Sequence, residues 1–512
     1  MTVTTAPVRS TARQTPQVAP RNLARLLWLE LRHNAMPLVL PLIAALYWVD
    51  CYRIAATLPP LWETRLFYIL GQGHALLDFA PFVAGVAAWM GSRDGRRGMG
   101  DLVTATVRPR WEAQLATWAA TVVWAVGAYL VFMAVMLYLL GRVVAWGGLP
   151  WWSIAVDGAG VAAFASVGFA AGARFPSRFT APVTAFGAVV AMGMSSQTGF
   201  AANGGWALIL PTMSNGNFGQ DAGIFYQWLP DLPIARVIFF TGIAAAAVGL
   251  LGLSPAAGGP RLRRSAAVIT ATGSAATVTA IVLAVTAHVG PYGTVIPALH
   301  DAANDKPISY TPVCRTAAIP VCVQPAYRPY LGDLTAAVGP VASEVAGLPG
   351  APVRATQIAA QFAAGQQHPV QGWTGQIVTL GGSPPVLSMP TGAIALPGSF
   401  GSYNAGFIDQ IKVEVVHALV TPRSAFGNPA QVAVEAALLQ HAGIPLAAQP
   451  NALGNSPWPL PGGGPHTPAH YPPPVAAAAQ RLAALPPGAR HAWLATHLGA
   501  LRAGQISLGQ LP

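Results

Sequence analysis

Leu115-ATWAATVVWAVGAYLVFMAVMLYL-Leu140 contains no charged side chain and no proline. A helix needs about 20 mostly apolar residues to cross the hydrocarbon core of a bilayer, and this stretch exceeds that. Backbone polar groups find no water in lipid, so a spanning segment must be helical or belong to a closed barrel. A continuous apolar run is read as a helix. Six further apolar stretches flank it, at 36–52, 74–90, 153–173, 180–196, 237–253 and 266–289. The fifth of the seven in chain order carries Pro182 near its start, which a membrane helix tolerates. The seventh is rich in Ala and Thr. The expectation is an all-α polytopic membrane region over the first 290 residues.

Composition agrees. Of 512 residues, 53% are hydrophobic and only 9% charged, whereas soluble domains are about a quarter charged. A net charge of +11 raises the question of nucleic-acid binding. The basic residues are spread over the loops between apolar stretches and form no compact run, which argues against it. With the N-terminus inside, the inner segments hold fifteen arginines, from Arg9 to Arg264, and the outer loops hold four: Arg53, Arg65, Arg142 and Arg236. Positive residues stay on the cytoplasmic side. The N-terminus is therefore expected in the cytoplasm and, after seven spans, the C-terminus outside. Trp146, Trp151 and Trp152 cluster where spans three and four would meet the outer interface.

Residues 1–20 are polar and lack the basic-then-apolar order of a signal peptide, so they read as a disordered cytoplasmic tail. Residues 21–34 (RNLARLLWLELRHN) place Leu23, Leu26, Leu27 and Leu31 on one helical face. Such a helix lies on the membrane surface or simply extends the first span. The loop 197–236 is long and aromatic, with Trp206, Phe218, Phe225, Tyr226 and Trp228. It reads either as short helices at the outer surface or as an ordinary loop. Residues 291–512 regain charges of both signs and read as a mixed α/β or α+β extracytoplasmic domain. Helices are expected at 327–347, 430–443 and 476–503, strands at 375–380 and 411–420, and a Pro/Gly-rich loop at 445–474.

The segment between spans two and three reads Gly91-SRDGRRGMGDLVTATVRPRWEAQ-Leu115. Its core, Gly98-Met99-Gly100-Asp101-Leu102-Val103-Thr104-Ala105-Thr106-Val107-Arg108-Pro109-Arg110, resembles the coupling segment of ABC-2-type transporter permeases. That family has a segment of the form E-x-G-T-L-E-x-L-L-x-T-P-x-S-R here. The resemblance covers residues 21–255 and includes an elbow helix, six spans and an apolar outer excursion between spans five and six. It implies a permease domain over 21–255, a basic loop and added seventh span over 256–290, and an added domain over 291–512. It further implies that Arg96, Arg97, Met99, Asp101, Leu102, Val103, Arg108 and Arg110 dock on a separate ATP-binding subunit. ATP and Mg would be held by that subunit, and a second permease copy or paralogue would complete a dimer. The chain departs from the family pattern where Arg96 or Arg97 stands for the usual acidic residue. Without the resemblance, the segment reads as a solvated basic loop that sets topology. The exposed apolar Met99, Leu102 and Val103 favour a partner surface instead.

The chain has no phosphate-binding loop of its own. Such a loop ends in Lys followed by Ser or Thr, whereas Lys306 and Lys412 precede Pro307 and Val413. No H-E-x-x-H and no G-x-S-x-G is present, His466 and His470 flank Pro468, and His491 and His497 are off one helical face. An enzyme is not expected. Asp50, Asp78 (near His74) and Asp157 fall toward the outer thirds of their spans, as interfacial or helix-to-helix hydrogen-bonding groups or as contacts for substrate in an outer cavity. Cys314 and Cys322 are read as a disulfide on the oxidising side, or else as two free thiols, and Cys51 as unpaired. The expected function is an exporter's permease subunit in a bacterial plasma membrane, with the transported substrate unspecified. The alternative is a non-transporting anchor or sensor whose outer domain binds a ligand or an envelope component.

Overall fold

The computed structural model describes residues 20–57, 69, 74–98, 109–142, 146, 149, 151–201, 223–254, 258–290, 293–359, 378–390, 406–421, 427–449 and 471–512. The N-terminal tail, segment 99–108, the middle of the 197–236 loop and the insert at 450–470 lie outside these residues.

An amphipathic helix, α1 (Pro20–Arg32), leads the chain. It meets α2 (Met36–Tyr47) at a 56° bend. Asn34 makes the corner: its Oδ1 accepts from Met36 N at 2.9 Å and its Nδ2 donates to Thr121 Oγ1 at 2.9 Å. Helix α2 passes through a π turn (Trp48–Tyr52) into the short α3 (Arg53–Thr57). Then come α4 (His74–Gly91), α5 (Arg93–Arg96), α6 (Arg110–Gly141), α7 (Trp151–Arg174), α8 (Thr180–Ala201), α9 (Asp231–Gly252) and α10 (Pro260–Val285).

Each of the seven apolar stretches is helical over most of its length, but the seventh, read to 289, ends as a helix at Val285, and residues 288 and 289 belong to a strand. Four of the helices, α6, α7, α9 and α10, are long and apolar enough to cross a membrane, and a fifth span results if the bent pair α1–α2 is one broken crossing. The portions Ala75–Gly91 and Thr180–Gly193 are apolar but shorter. The bundle is thus compatible with a membrane protein, and among the described residues four or five spans stand by length and composition, so the expected six or seven are not confirmed.

Close backbone approach holds the bundle together. A Cβ on Gly168 of α7 would collide with the Ala84 carbonyl of α4, and one on Gly172 with the Ala88 carbonyl. This small-xxx-small spacing lets two helices touch along their backbones, the kind of close packing by which helices associate in a bilayer. Around this contact pack Phe79, Val83, Tyr129, Met133, Val161 and Phe169, all buried.

After the short hairpin β1 (His288–Gly290) and β2 (Gly293–Val295), the C-terminal region forms its own core. Its strands are β3 (Val313–Thr316), β4 (Pro320–Val323), β5 (Arg354–Ile358), β6 (Thr379–Gly381) and β7 (Val386–Pro390). They lie in the order β3-β4-β5-β7-β6, with β4-β5 and β5-β7 parallel and the outer pairs antiparallel. Helix α11 (Leu331–Glu344) connects β4 to β5, and α12 (Gly406–Val420), α13 (Pro429–His441), α14 (Pro473–Ala484) and α15 (Pro487–Arg502) complete the layer.

Three sequence readings change here. Residues 411–420, read as a strand, belong to α12. Ile411, Val415, Ala418 and Leu419 are all buried and recur at helical spacing, and packing against α11 and α13 overrides the β-branched composition. The single helix read at 476–503 is two, parted at Pro486 and Pro487 because neither proline ring can continue a helix from the preceding turn. The helix read from 327 opens as a 3-10 turn (Pro325–Tyr330) before α11. Of the strand read at 375–380, residues 375–377 lie outside the described residues and Thr379–Gly381 is extended.

The core of the C-terminal region is not drawn from that region alone. Ile224 and Phe225, from the chain between α8 and α9, are buried in it. Gln324 Nε2 donates to the Ile224 carbonyl at 3.2 Å across 100 residues of chain. Ile308 N donates to the Phe225 carbonyl at 2.7 Å.

Candidate functional site at the Arg93 corner of the bundle

The region expected to carry function begins at α5. Arg93 reaches back to α1 and grips both oxygens of Glu30, with Nη1–Oε2 at 3.2 Å and Nη2–Oε1 at 3.0 Å. The two side chains are only 25% and 16% exposed. Burial alone would lower the Arg93 pKa, but the hydrogen bonds and charge of Glu30 outweigh it and hold it above the ordinary value. A planar guanidinium meeting a carboxylate in this two-point way fixes orientation as well as distance.

Next to this pair, Arg96 lies over the Trp89 ring at 3.3 Å from its centre. It also donates from Nε to Ser92 Oγ at 2.9 Å and from Nη2 to the Trp89 carbonyl at 2.9 Å. Partial burial, then the neighbouring Arg97, pulls its pKa below the ordinary value. Helix α1 is fastened from its other side by Trp124 Nε1 on the Leu31 carbonyl at 2.9 Å. On α6, Trp111 is buried and donates to the Val248 carbonyl of α9 at 3.4 Å. The start of α6 therefore abuts the end of α9.

Of the eight residues expected to form the docking segment, Arg96, Arg97 and Arg110 are described. Met99, Asp101, Leu102, Val103 and Arg108 lie outside the described residues. Arg97 is exposed, Arg96 half-buried on Trp89, and Arg110 opens α6. The sequence reading omitted Glu30 and Trp89. Glu30 was findable: it is the sole carboxylate before Asp50, set between Arg25 and Arg32. A lone acid in a basic stretch usually has a defined partner.

A second polar layer crosses the opposite end of the bundle. Asp157 and Arg236, 2% and 1% exposed, face each other electrostatically from α7 and α9. Tyr129 donates to the Ile154 carbonyl at 3.0 Å. Cys51 Sγ donates to Asp78 Oδ2 at 3.6 Å, and together with Asp50 their ligand atoms lie within 4.8 Å of one another. A thiol and two carboxylates are ligand types a metal ion accepts, although the thiol–carboxylate hydrogen bond already accounts for the closeness of Cys51 and Asp78. Asp157 was singled out in the sequence. Arg236 was counted only as an outer-loop charge, because its burial depends on how α9 packs against α7.

In the C-terminal region, Cys314 and Cys322 are bonded across directly paired positions of β3 and β4, as expected, and Cys51 is free. Arg490, 1% exposed, donates from Nε and Nη2 to the two oxygens of Glu344 at 2.8 and 2.9 Å. Its Nη1 lies 2.7 Å from His441 Nε2. His491 Nδ1 meets the Glu344 carbonyl instead of pairing with His497, which stacks on Trp493. These contacts bind α15 to α11 and α13.

Comparison with known protein families, with curated proteins and with solved structures returns no match to this chain.

Proposed function

We propose that this chain is the membrane permease subunit of an ATP-driven exporter of the ABC-2 type. It would cross a bacterial plasma membrane seven times, six permease-like spans plus one, with the N-terminus cytoplasmic and the C-terminal domain outside. The observation that carries this reading is the Glu30–Arg93 pair. It joins a bent, amphipathic leading helix to the segment that precedes the docking motif, so elbow and coupling region form one cytoplasmic corner. Push on that corner and the load passes to α1 through Glu30, to α4 through the Arg96–Trp89 stack and to α6 and α9 through Trp111. A separate ATP-binding subunit, holding ATP and Mg, would dock there. Its closure on ATP would reorient the spans and alternate access to the pathway, and a second permease copy or paralogue would complete that pathway.

The test is affinity purification of the tagged protein in mild detergent, with mass spectrometry of its partners. An ABC-type ATPase is expected, retained by the wild type and lost when Asp101→Lys and Leu102→Glu are introduced together. Arg93→Ala is expected to weaken that association while leaving membrane insertion intact. Recovery of the chain without any ATPase, in conditions that preserve other permease complexes, would overturn the reading. It would favour instead a membrane anchor or sensor centred on the outer domain.

A further inference from the structure

The junction between α9 and the C-terminal region holds a group that neither transport nor docking explains. His300 sits between two carboxylates. Its Nδ1 lies 3.0 Å from Asp231 Oδ2, at the first residue of α9, and its Nε2 lies 3.1 Å from Asp305 Oδ2. A neutral imidazole has one N–H and one lone pair, so it can satisfy only one of these oxygens and sets a lone pair against the other. The imidazolium donates to both.

We infer that Asp231, His300 and Asp305 form a proton-operated latch, closed when His300 is charged, which pins the entry of the C-terminal domain to the start of α9.

The geometry makes the latch asymmetric. The Asp231 side chain is fully buried, and that of Asp305 is 43% exposed. Asp231 Oδ2 also accepts from Ile296 N at 3.0 Å, while Oδ1 has no hydrogen-bond partner among the described residues. The cation on His300 is therefore the chief compensation for a carboxylate that water does not reach. Leu232 and Ala235 of the same helix form a buried apolar cluster with Ile296, against which pack Leu283 of α10, Ala287 just beyond it, and Leu299. The charges acting on the ring are those of Asp305 and Asp231. Asp301, next in sequence, is turned away to accept from Ala303 N.

The hydrogen bond to Asp305, and then that to Asp231, raises the His300 pKa above the ordinary value despite partial burial. A raised histidine pKa adds stability that is complete below the unfolded value, about 6.5. That stability is lost as pH climbs through the higher folded value. Acid closes the latch and alkali opens it. On loss of the proton, a buried carboxylate remains without its cation, the costly half of a broken ion pair. Ile296 and the turn that follows it then come free of α9.

The experiment is hydrogen–deuterium exchange of the full-length protein in lipid nanodiscs between pH 6 and 10, corrected for intrinsic exchange rates. It reads the junction directly and does not depend on whether an ATPase binds. Peptides covering 296–305 are expected to lose protection by about tenfold or more as pH rises, the worth of one charge-assisted hydrogen bond. The midpoint should lie above the ordinary histidine value. His300→Gln should abolish the step. Asp305→Asn, on the exposed side, should keep the fold and move the midpoint down. An identical pH profile in wild type and His300→Gln would overturn the latch. If His300→Gln does not fold, Asp305→Asn decides: an unmoved midpoint overturns the proposal.

Discussion

The helical bundle and the C-terminal domain differ in the contact that draws their helices together. Helices α4 and α7 meet backbone to backbone at Gly168 and Gly172, with few polar side chains between them. The C-terminal domain instead secures α15 by a buried guanidinium on Glu344 and ties β3 to β4 by a covalent bond. In a bilayer, burying apolar surface between helices gains little, so close packing would supply the attraction, and the long apolar helices of the bundle are compatible with that setting. In water the hydrophobic effect builds a core, and the C-terminal core adds the buried Arg490–Glu344 pair to it.

The contrast can be broken most severely at Arg490. Arg490→Ala leaves Glu344 without its partner and is expected to cost about 3–5 kcal/mol. The loss should appear as lower amide protection in α15, α11 and α13, with the bundle unaffected. Reduction of Cys314–Cys322 comes next. Its sequence separation is 8, and in the chain-entropy model a loop of that size contributes about 2.5 kcal/mol. Thermal unfolding of the purified protein with and without reductant should show a lower transition for the C-terminal domain only. Gly172→Val sharpens the other side. Its Cβ meets the Ala88 carbonyl, which is expected to cost about 1–3 kcal/mol as overpacking. The bundle transition should fall in detergent while the C-terminal transition stays. A Gly172→Val protein with an unchanged bundle transition would show that the α4–α7 contact is not what holds the bundle.

The two regions were also unequally legible. Hydropathy located the seven apolar helices of the bundle, because such helices are apolar along most of their length, but it missed the short α3 and α5. In the C-terminal domain a run such as Ile411-Lys-Val-Glu-Val-Val satisfies both strand and helix patterns. Only its neighbours α11 and α13 decide between them. At the Arg93 corner the arginines were evident, but the residues that give them geometry were not. Glu30 lies 63 residues from Arg93 in sequence, and Trp89 looked like one more apolar residue of a span. Arg236 and Asp157 are a similar case: each is visible as a charge, and neither shows its partner until α7 and α9 are packed.

The burial of Ile224 and Phe225 in the C-terminal core has a consequence for how the protein is assembled. During synthesis these two residues emerge before α9 and α10, and well before the strands that enclose them. They must wait, apolar and uncovered, until Gln324 and its neighbours arrive to close over them. The later-made region therefore clamps a segment made before it. A fragment starting at residue 291 would have to fold around an unfilled space, and cleavage between α10 and β3 would leave the two halves still joined through that clamp. Domains generally fold as units in the order of synthesis; here the order is stitched, and the final stitch passes back through the bundle.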